Sequence, residues 1–149
     1  MISRVFVVDT NVLTAGLITK DAQSPVARIV DHMLSGAIFY LLSLALLDEY
    51  RAVLLRPKLS KLHGLTEREI DALLTDLVAN AIWRDPEPVS PAPDPGDDHL
   101  WALLEGHAGS VLITGDRLLI EHPPDRASVI SPRSHVERGV DLSSASNRP

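Results

Sequence analysis

The feature that most restricts this chain is an alternation of short apolar runs with stretches of helical spacing. Val5-Phe6-Val7-Val8 is the first run, and Asp9 stops it. A run this short, apolar at every position, suits a strand covered on both faces of a parallel sheet. Ile38 to Leu42 reads as a second strand and Ile82-Trp83 as a short third. Val111 to Thr114 reads as a fourth and Ser128-Val129-Ile130 as a fifth. The helical signals lie between them. Ser24-Pro25 is an N-cap followed by proline at the first helical position. Val26, Ile29, Val30, Met33 and Leu34 then recur at helical spacing until Gly36. Ser43 caps a helix that turns Leu44, Leu47, Val53 and Leu54 toward the core and stops at Pro57. Thr66 and Glu69 form a capping box before the stripe Ile70, Leu73, Leu74, Leu77, Val78. A helix starting near Asp97 buries Leu100, Leu103 and Leu104 and stops at Gly109, and Trp83 and Trp101 read as core. This order predicts a three-layer α/β/α sandwich with a mostly parallel central sheet.

At 149 residues the chain is one domain's worth, since splitting it would leave two marginal cores. Residues 1–138 are expected to fold, and the polar 139–149 to form a flexible C-terminal tail. Prolines 86, 88, 91, 93 and 95 make a stiff extended connection. No apolar run reaches the roughly 18 residues that would cross a bilayer. Cysteine is absent, which excludes disulfides, a thiol nucleophile and a thiolate metal site. With no secretory leader in view, a cytoplasmic location away from membranes is expected.

In open parallel sheets the site lies at the carboxyl ends of the strands, where strand order reverses. Asp9 ends the first strand, and Asp116 follows the fourth by one glycine. Asp97 and Asp98 open a helix, and Glu49 lies six residues after the Ser43 cap. If these acids converge, their repulsion needs a cation between them. Oxygen donors without cysteine point to Mg²⁺ or Mn²⁺. Each acid also has a plain reading. Asp9, Asp97 or Asp98 can cap a helix, Asp116 can sit in a turn, and Glu49 can be a solvated helix charge. What argues for a site is that two strands of one small domain both deliver Asp at their carboxyl ends. Histidines 32, 63, 99, 107, 122 and 135 show no ligand spacing and read as surface or packing residues.

Val8-Asp9-Thr10-Asn11-Val12-Leu13 resembles the opening motif of PIN-domain ribonucleases. Glu49-Tyr50, with Val53-Leu54 and Arg56-Pro57-Lys58, is similar to the second acidic segment of one subgroup. That subgroup comprises VapC-like toxin components of toxin–antitoxin systems. Asp94-Pro95-Gly96-Asp97-Asp98 resembles its third segment, and Thr114-Gly115-Asp116 with Leu118-Leu119 its fourth. The resemblance spans about residues 4 to 137, and the four motifs in order make it specific. It implies a PIN-like fold, Mg²⁺- or Mn²⁺-dependent cleavage of single-stranded RNA, a homodimer and a cognate antitoxin protein. It carries catalytic and metal-binding roles onto Asp9, Glu49, Asp98 and Asp116. Asp97 is a further metal ligand in the acid cluster and Asp94 a weaker candidate. Asp98 is the choice between neighbours because the apolar stripe follows it directly. Asn11 resembles the residue that orients Asp9, and Thr114 the hydroxyl near the metal. The Pro-rich stretch before Asp94 is longer than the family's pattern and bears on the rim of the site.

Charge argues mildly the other way, because 14 Lys and Arg against 20 Asp and Glu give a net charge of −6, whereas phosphate binders are usually basic. The only dense basic stretch is Arg51, Arg56, Lys58, Lys61 and Arg68, next to Glu49. It is the expected RNA-binding surface, against the plain reading of a solvated helix end. Two other classes compete. A haloacid-dehalogenase-like phosphotransferase would use Asp9 as nucleophile, but it wants Asp at position 11, which is Asn, and a late lysine, while the last is Lys61. A receiver-like phosphoacceptor fails on the same lysine. A non-catalytic PIN-like interaction module should lack one of the acids, and none is missing.

Overall fold

Apolar runs become strands here because both of their faces are covered. The computed structural model describes residues 4–87 and 90–138. Its strands are β1 (Val5–Val8), β2 (Phe39–Leu42), β3 (Ile82–Trp83), β4 (Val111–Ile113) and β5 (Ser128–Ile130). They form one sheet in the order β3-β2-β1-β4-β5. All four pairings are parallel. The helices are α1 (Thr10–Ile18), α2 (Pro25–Ser35), α3 (Leu44–Leu54), α4 (Pro57–His63), α5 (Glu67–Asn80), α6 (Asp98–Glu105) and α7 (Arg117–Glu121). An eighth, α8, covers 132–138.

The chain steps outward from β1 to β2 and β3, then returns to place β4 and β5 on the other side of β1. Parallel crossovers are right-handed, so the outward connections lie on one face and the return connections on the other. The result is the three-layer α/β/α sandwich. The strand order reverses between β1 and β4, where Val8 pairs with Ile113. Val7, Val8, Leu41, Leu42, Leu112 and Ile113 are fully buried. Two buried tyrosines tie helices to the sheet. Tyr40 donates to the Leu77 carbonyl at 2.6 Å. Tyr50 donates to the Val8 carbonyl at 2.5 Å, which fixes α3 against the end of β1.

Local signals set most helix boundaries. Ser24 accepts from Ala27 N–H, Pro25 opens α2, and Gly36 closes it at φ +78°. The Thr66–Glu69 capping box forms in both directions. Several details differ from the sequence reading. Pro57 not only follows α3 but is the first residue of α4, because proline is tolerated where its missing N–H would be unsatisfied anyway. α6 ends at Glu105, and Gly109, at φ +82°, turns the loop toward β4 instead. Leu44 is 58% exposed and Trp83 43% exposed. Leu44 sits at the first turn of α3 and Trp83 ends a two-residue edge strand, so neither has a neighbour on its outer side. Trp101 is buried. The C-terminal stretch 139–149 lies outside the described residues, as do Pro88 and Val89 of the Pro-rich connection. No helix among the described residues is long and apolar enough to cross a membrane.

Candidate functional site

The carboxyl end of β1 hands the chain directly to α1, and Asp9 is the hinge. It is the N-cap of α1, only 6% exposed, and accepts from Thr10 N–H at 2.8 Å. Its other oxygen accepts from the Thr114 hydroxyl at 2.7 Å and the Asn11 amide at 3.1 Å. Asp9 is thus both a helix cap and the centre of a polar network. Asn11 Oδ1 accepts from Gly115 N–H at 3.4 Å, and Thr114 Oγ1 accepts from Asp116 N–H at 3.0 Å. These bonds lace the ends of β1 and β4 together at the reversal point. Asp116 itself caps α7 through Leu118 N–H at 2.9 Å.

Glu49 reaches the same cleft from α3. Its Oε2 accepts from the Thr10 hydroxyl at 2.6 Å and lies 3.0 Å from His99 Nε2. Neither of these partners, Thr10 and His99, stands out as a site residue in the sequence. Thr10 lies inside the opening motif, but its partner is 39 residues away. His99 follows the Asp pair directly, and that adjacency is the one signal the sequence offers.

The paired acids at the start of α6 diverge. Asp98 accepts from Ala92 N–H at 2.8 Å and so anchors the Pro-rich loop. Asp97 turns to the cleft, where burial first, and then the charges of Asp9, Asp94, Asp116 and Glu49, push its pKa up to about 6. The sequence places both in the acid cluster, with Asp98 as the catalytic choice; Asp97 feels the charges of the other acids, while one oxygen of Asp98 is taken by the loop. Asp94 is exposed and accepts from Gly96 N–H at 2.9 Å.

The other groups lie in one shared electrostatic field. Burial raises Asp9, with Glu49 and Asp116 adding to the rise while bonds from Thr114 and Thr10 oppose it. Glu49 is lowered, chiefly by its bond to His99, with Thr10 and the His99 and Arg56 charges assisting against burial. His99 is raised, chiefly by that same bond. Like charges couple this way only at close range. The side chains do not, however, gather on one point. Among the described residues, no three His, Asp or Glu groups stand close enough to hold a metal ion between them. The expected convergence on a shared ion is not met by the side chains as they stand. The donor set still fits a hard divalent cation, being all oxygen and, in Asp9 and Asp97, poor in compensating positive charge.

The basic residues also separate. Arg51 is engaged with Glu67 and Asp71, both at 2.9 Å, and clamps α3 to α5. Arg56 stands at the N-cap of α4, exposed, with its charge felt at Glu49. Lys58 and Lys61 are exposed along α4. Beside the acids a groove of about 450 Å³ is lined by Asn11, Val12, Ala15, Val26, Gly115, Asp116 and Pro132.

A comparison with curated proteins finds no match. A family model described as PIN domain matches residues 5–118, which covers β1 through the start of α7 and every acid of the cleft. PIN domains have a nuclease-type fold and are generally metal-dependent. With its wholly parallel sheet and acids at the strand reversal, the chain belongs to the PIN-domain family.

Proposed function

We propose that this protein is a divalent-metal-dependent endoribonuclease that cuts single-stranded RNA, and the toxin of a type II toxin–antitoxin pair. The observation that carries the reading is the buried Asp9, held by Thr10, Asn11 and Thr114 and coupled to Glu49, Asp97 and Asp116 at the strand reversal. Asp9, Glu49, Asp97 and Asp116 would hold Mg²⁺ or Mn²⁺, with Asp94 at the rim. Asp97 is preferred to Asp98 because it is the one that feels the charges of Asp9, Asp116 and Glu49, while Asp98 Oδ1 is engaged by the loop. When bound, such an ion activates water and neutralises charge at the scissile phosphate.

The chain's own residues supply the rest. Thr114 and Asn11 fix one Asp9 oxygen in direction, while Thr10 N–H takes the other. Thr10 and His99 hold Glu49. The exposed cations of α4 and its cap, Arg56, Lys58 and Lys61, are the proposed contacts for the RNA backbone. The products would be a 5′-phosphate and a 3′-hydroxyl. RNA, a cognate antitoxin and a second copy of the chain are the proposed partners. The test is cleavage of single-stranded RNA oligonucleotides in Mg²⁺ by wild type and by Asp9→Asn, which keeps the shape and removes one charge. Wild type should cut and the variant should not, with folding intact. Full activity in excess EDTA would overturn the metal requirement, and wild-type cleavage by Asp9→Asn would overturn the assigned site.

A further inference from the structure

The first turn of α6 sends three consecutive side chains in three directions. Asp97 lies in the field of the cleft acids, Asp98 meets the Pro-rich loop and His99 meets the α3 helix. Asp98 and His99 are successive helical residues, about 100° apart, and Asp97 precedes them as the N-cap. The third direction bears on metal binding only through Glu49. Its partner is the acid least constrained by its own backbone. Asp9 and Asp116 are each pinned as helix caps. Glu49 instead projects from within α3 on a longer side chain, into a cleft where Asp9 and Asp97 repel it. Without donors it would turn toward solvent.

We infer that His99 is a positioning residue for Glu49, holding one carboxylate oxygen so that the other is presented to a divalent cation. The Thr10 hydroxyl, at 2.6 Å, and His99 Nε2, at 3.0 Å, both meet Oε2. Thr10 comes from α1 and His99 from α6, so the oxygen is held from two sides. Among the described residues no donor meets Oε1, which leaves it for a ligand. The ring can hold this place because α6 is itself held: Leu100, Trp101, Leu103 and Leu104 are buried. Nε2 carries a proton in the Nε2–H neutral tautomer and in the imidazolium, and either form can donate to Oε2. His99 also puts Glu49 and Asp97 in one frame, since the helix that orients the histidine starts beside Asp97.

This inference rests on the metal-dependent reading, and its test separates the two. Mn²⁺ binding is measured by titration calorimetry, without RNA, for wild type, His99→Ala, His99→Gln, Glu49→Ala and the Glu49→Ala/His99→Ala double variant. Circular dichroism checks folding. Removing a residue that orients a ligand typically weakens metal binding roughly 10- to 100-fold, which is the loss expected for His99→Ala. His99→Gln keeps a side-chain N–H and should recover most of the affinity. In the Glu49→Ala background the His99→Ala change should add nothing, because the histidine acts through the glutamate. Unchanged affinity in His99→Ala, additive losses in the double variant, or His99→Gln as weak as His99→Ala would each overturn the inference while leaving the metal reading in place. Failure of the wild type to bind Mn²⁺ would overturn both.

Discussion

Asp97 and Asp98 are neighbours with opposite surroundings, and single substitutions should separate them. Asp97→Asn removes a charge from the cleft and is expected to abolish RNA cleavage. Asp98→Asn keeps an oxygen for Ala92 N–H and is expected to cut as wild type does. The reverse pattern in a cleavage assay would return the catalytic role to Asp98. Asp97 also carries a pH signature in the metal-free protein. Its pKa is raised to about 6, so the ionised form is disfavoured in the fold. Below about pH 4 both folded and unfolded chains hold the proton and there is no penalty. As pH rises from about 4 to 6 the unfolded chain ionises first, and the fold loses stability. A shift of this size corresponds to roughly 3 kcal/mol. The carboxylate is only partly buried and is screened, so about 1 kcal/mol is the realistic figure. In EDTA, Asp97→Asn should therefore unfold at higher urea than wild type at pH 7 and match it at pH 4. Equal stability at both pH values would mean that Asp97 ionises freely. The different fates of these two acids are not legible in the sequence. That Asp9 and Asp116 sit at strand ends follows from where the apolar runs stop. Which of two adjacent acids faces a cleft depends on the phase of α6, set by the single 3₁₀ turn at Pro95–Asp97. The role of His99 depends on a partner 50 residues away.

At the scale of elements, strands and capped helices are readable because their causes are local. Ser24-Pro25, Thr66 with Glu69, and the β-branched runs act over a few residues. α1 is harder to read, because it has no single apolar stripe and is packed by α2, α3 and α4 on several sides. Gly16 shows how close that packing is. A Cβ at this position would lie 2.6 Å from the Val26 carbonyl oxygen and would also collide with Val30 Cγ2. Replacing glycine by alanine inside a helix ordinarily gains about 1 kcal/mol. Overpacking ordinarily loses about 1–3 kcal/mol. The Val30 methyl can rotate aside, but the Val26 carbonyl belongs to the backbone of α2 and cannot. The loss should win, and Gly16→Ala is expected to destabilise the fold by about 1 kcal/mol or more in urea unfolding. A stabilised variant would show that α2 moves freely relative to α1. Because α1 carries Asp9 at its cap and Thr10 in its first turn, any shift of α1 should also reduce cleavage.

For the whole molecule, the question is how a chain of net charge −6 could hold RNA. Four of its acids, Asp9, Glu49, Asp97 and Asp116, are concentrated in one cleft. Two divalent ions there would add four charges and bring the total to about −2, with the local field at the cleft positive. Arg51 cannot extend that field freely, since Glu67 and Asp71 hold it. Other cations of the same basic stretch are exposed on α4 and its cap: Arg56, whose charge Glu49 feels, Lys58 and Lys61. α4 packs against α1 and α3, which carry Asp9 at a cap and Glu49 within the helix, so its charges flank the acids. RNA binding should then depend on divalent metal as well as on monovalent salt. The Arg56→Ala/Lys58→Ala variant should weaken binding across many sequences without changing base preference, because phosphate recognition carries little sequence information. Each phosphate of a single strand that the protein no longer neutralises lowers the slope of log affinity against log salt by about 0.7, so the double variant should show a slope shallower by about 1.4. Filter binding to single-stranded RNA over a salt series measures this directly. An unchanged slope would make α4 a solvated helix and nothing more. The strand would then have to pass on the Asp116 side, along the groove between Asn11 and Pro132, where Arg117 is 92% exposed and pairs only loosely with Glu121 at 3.8 Å.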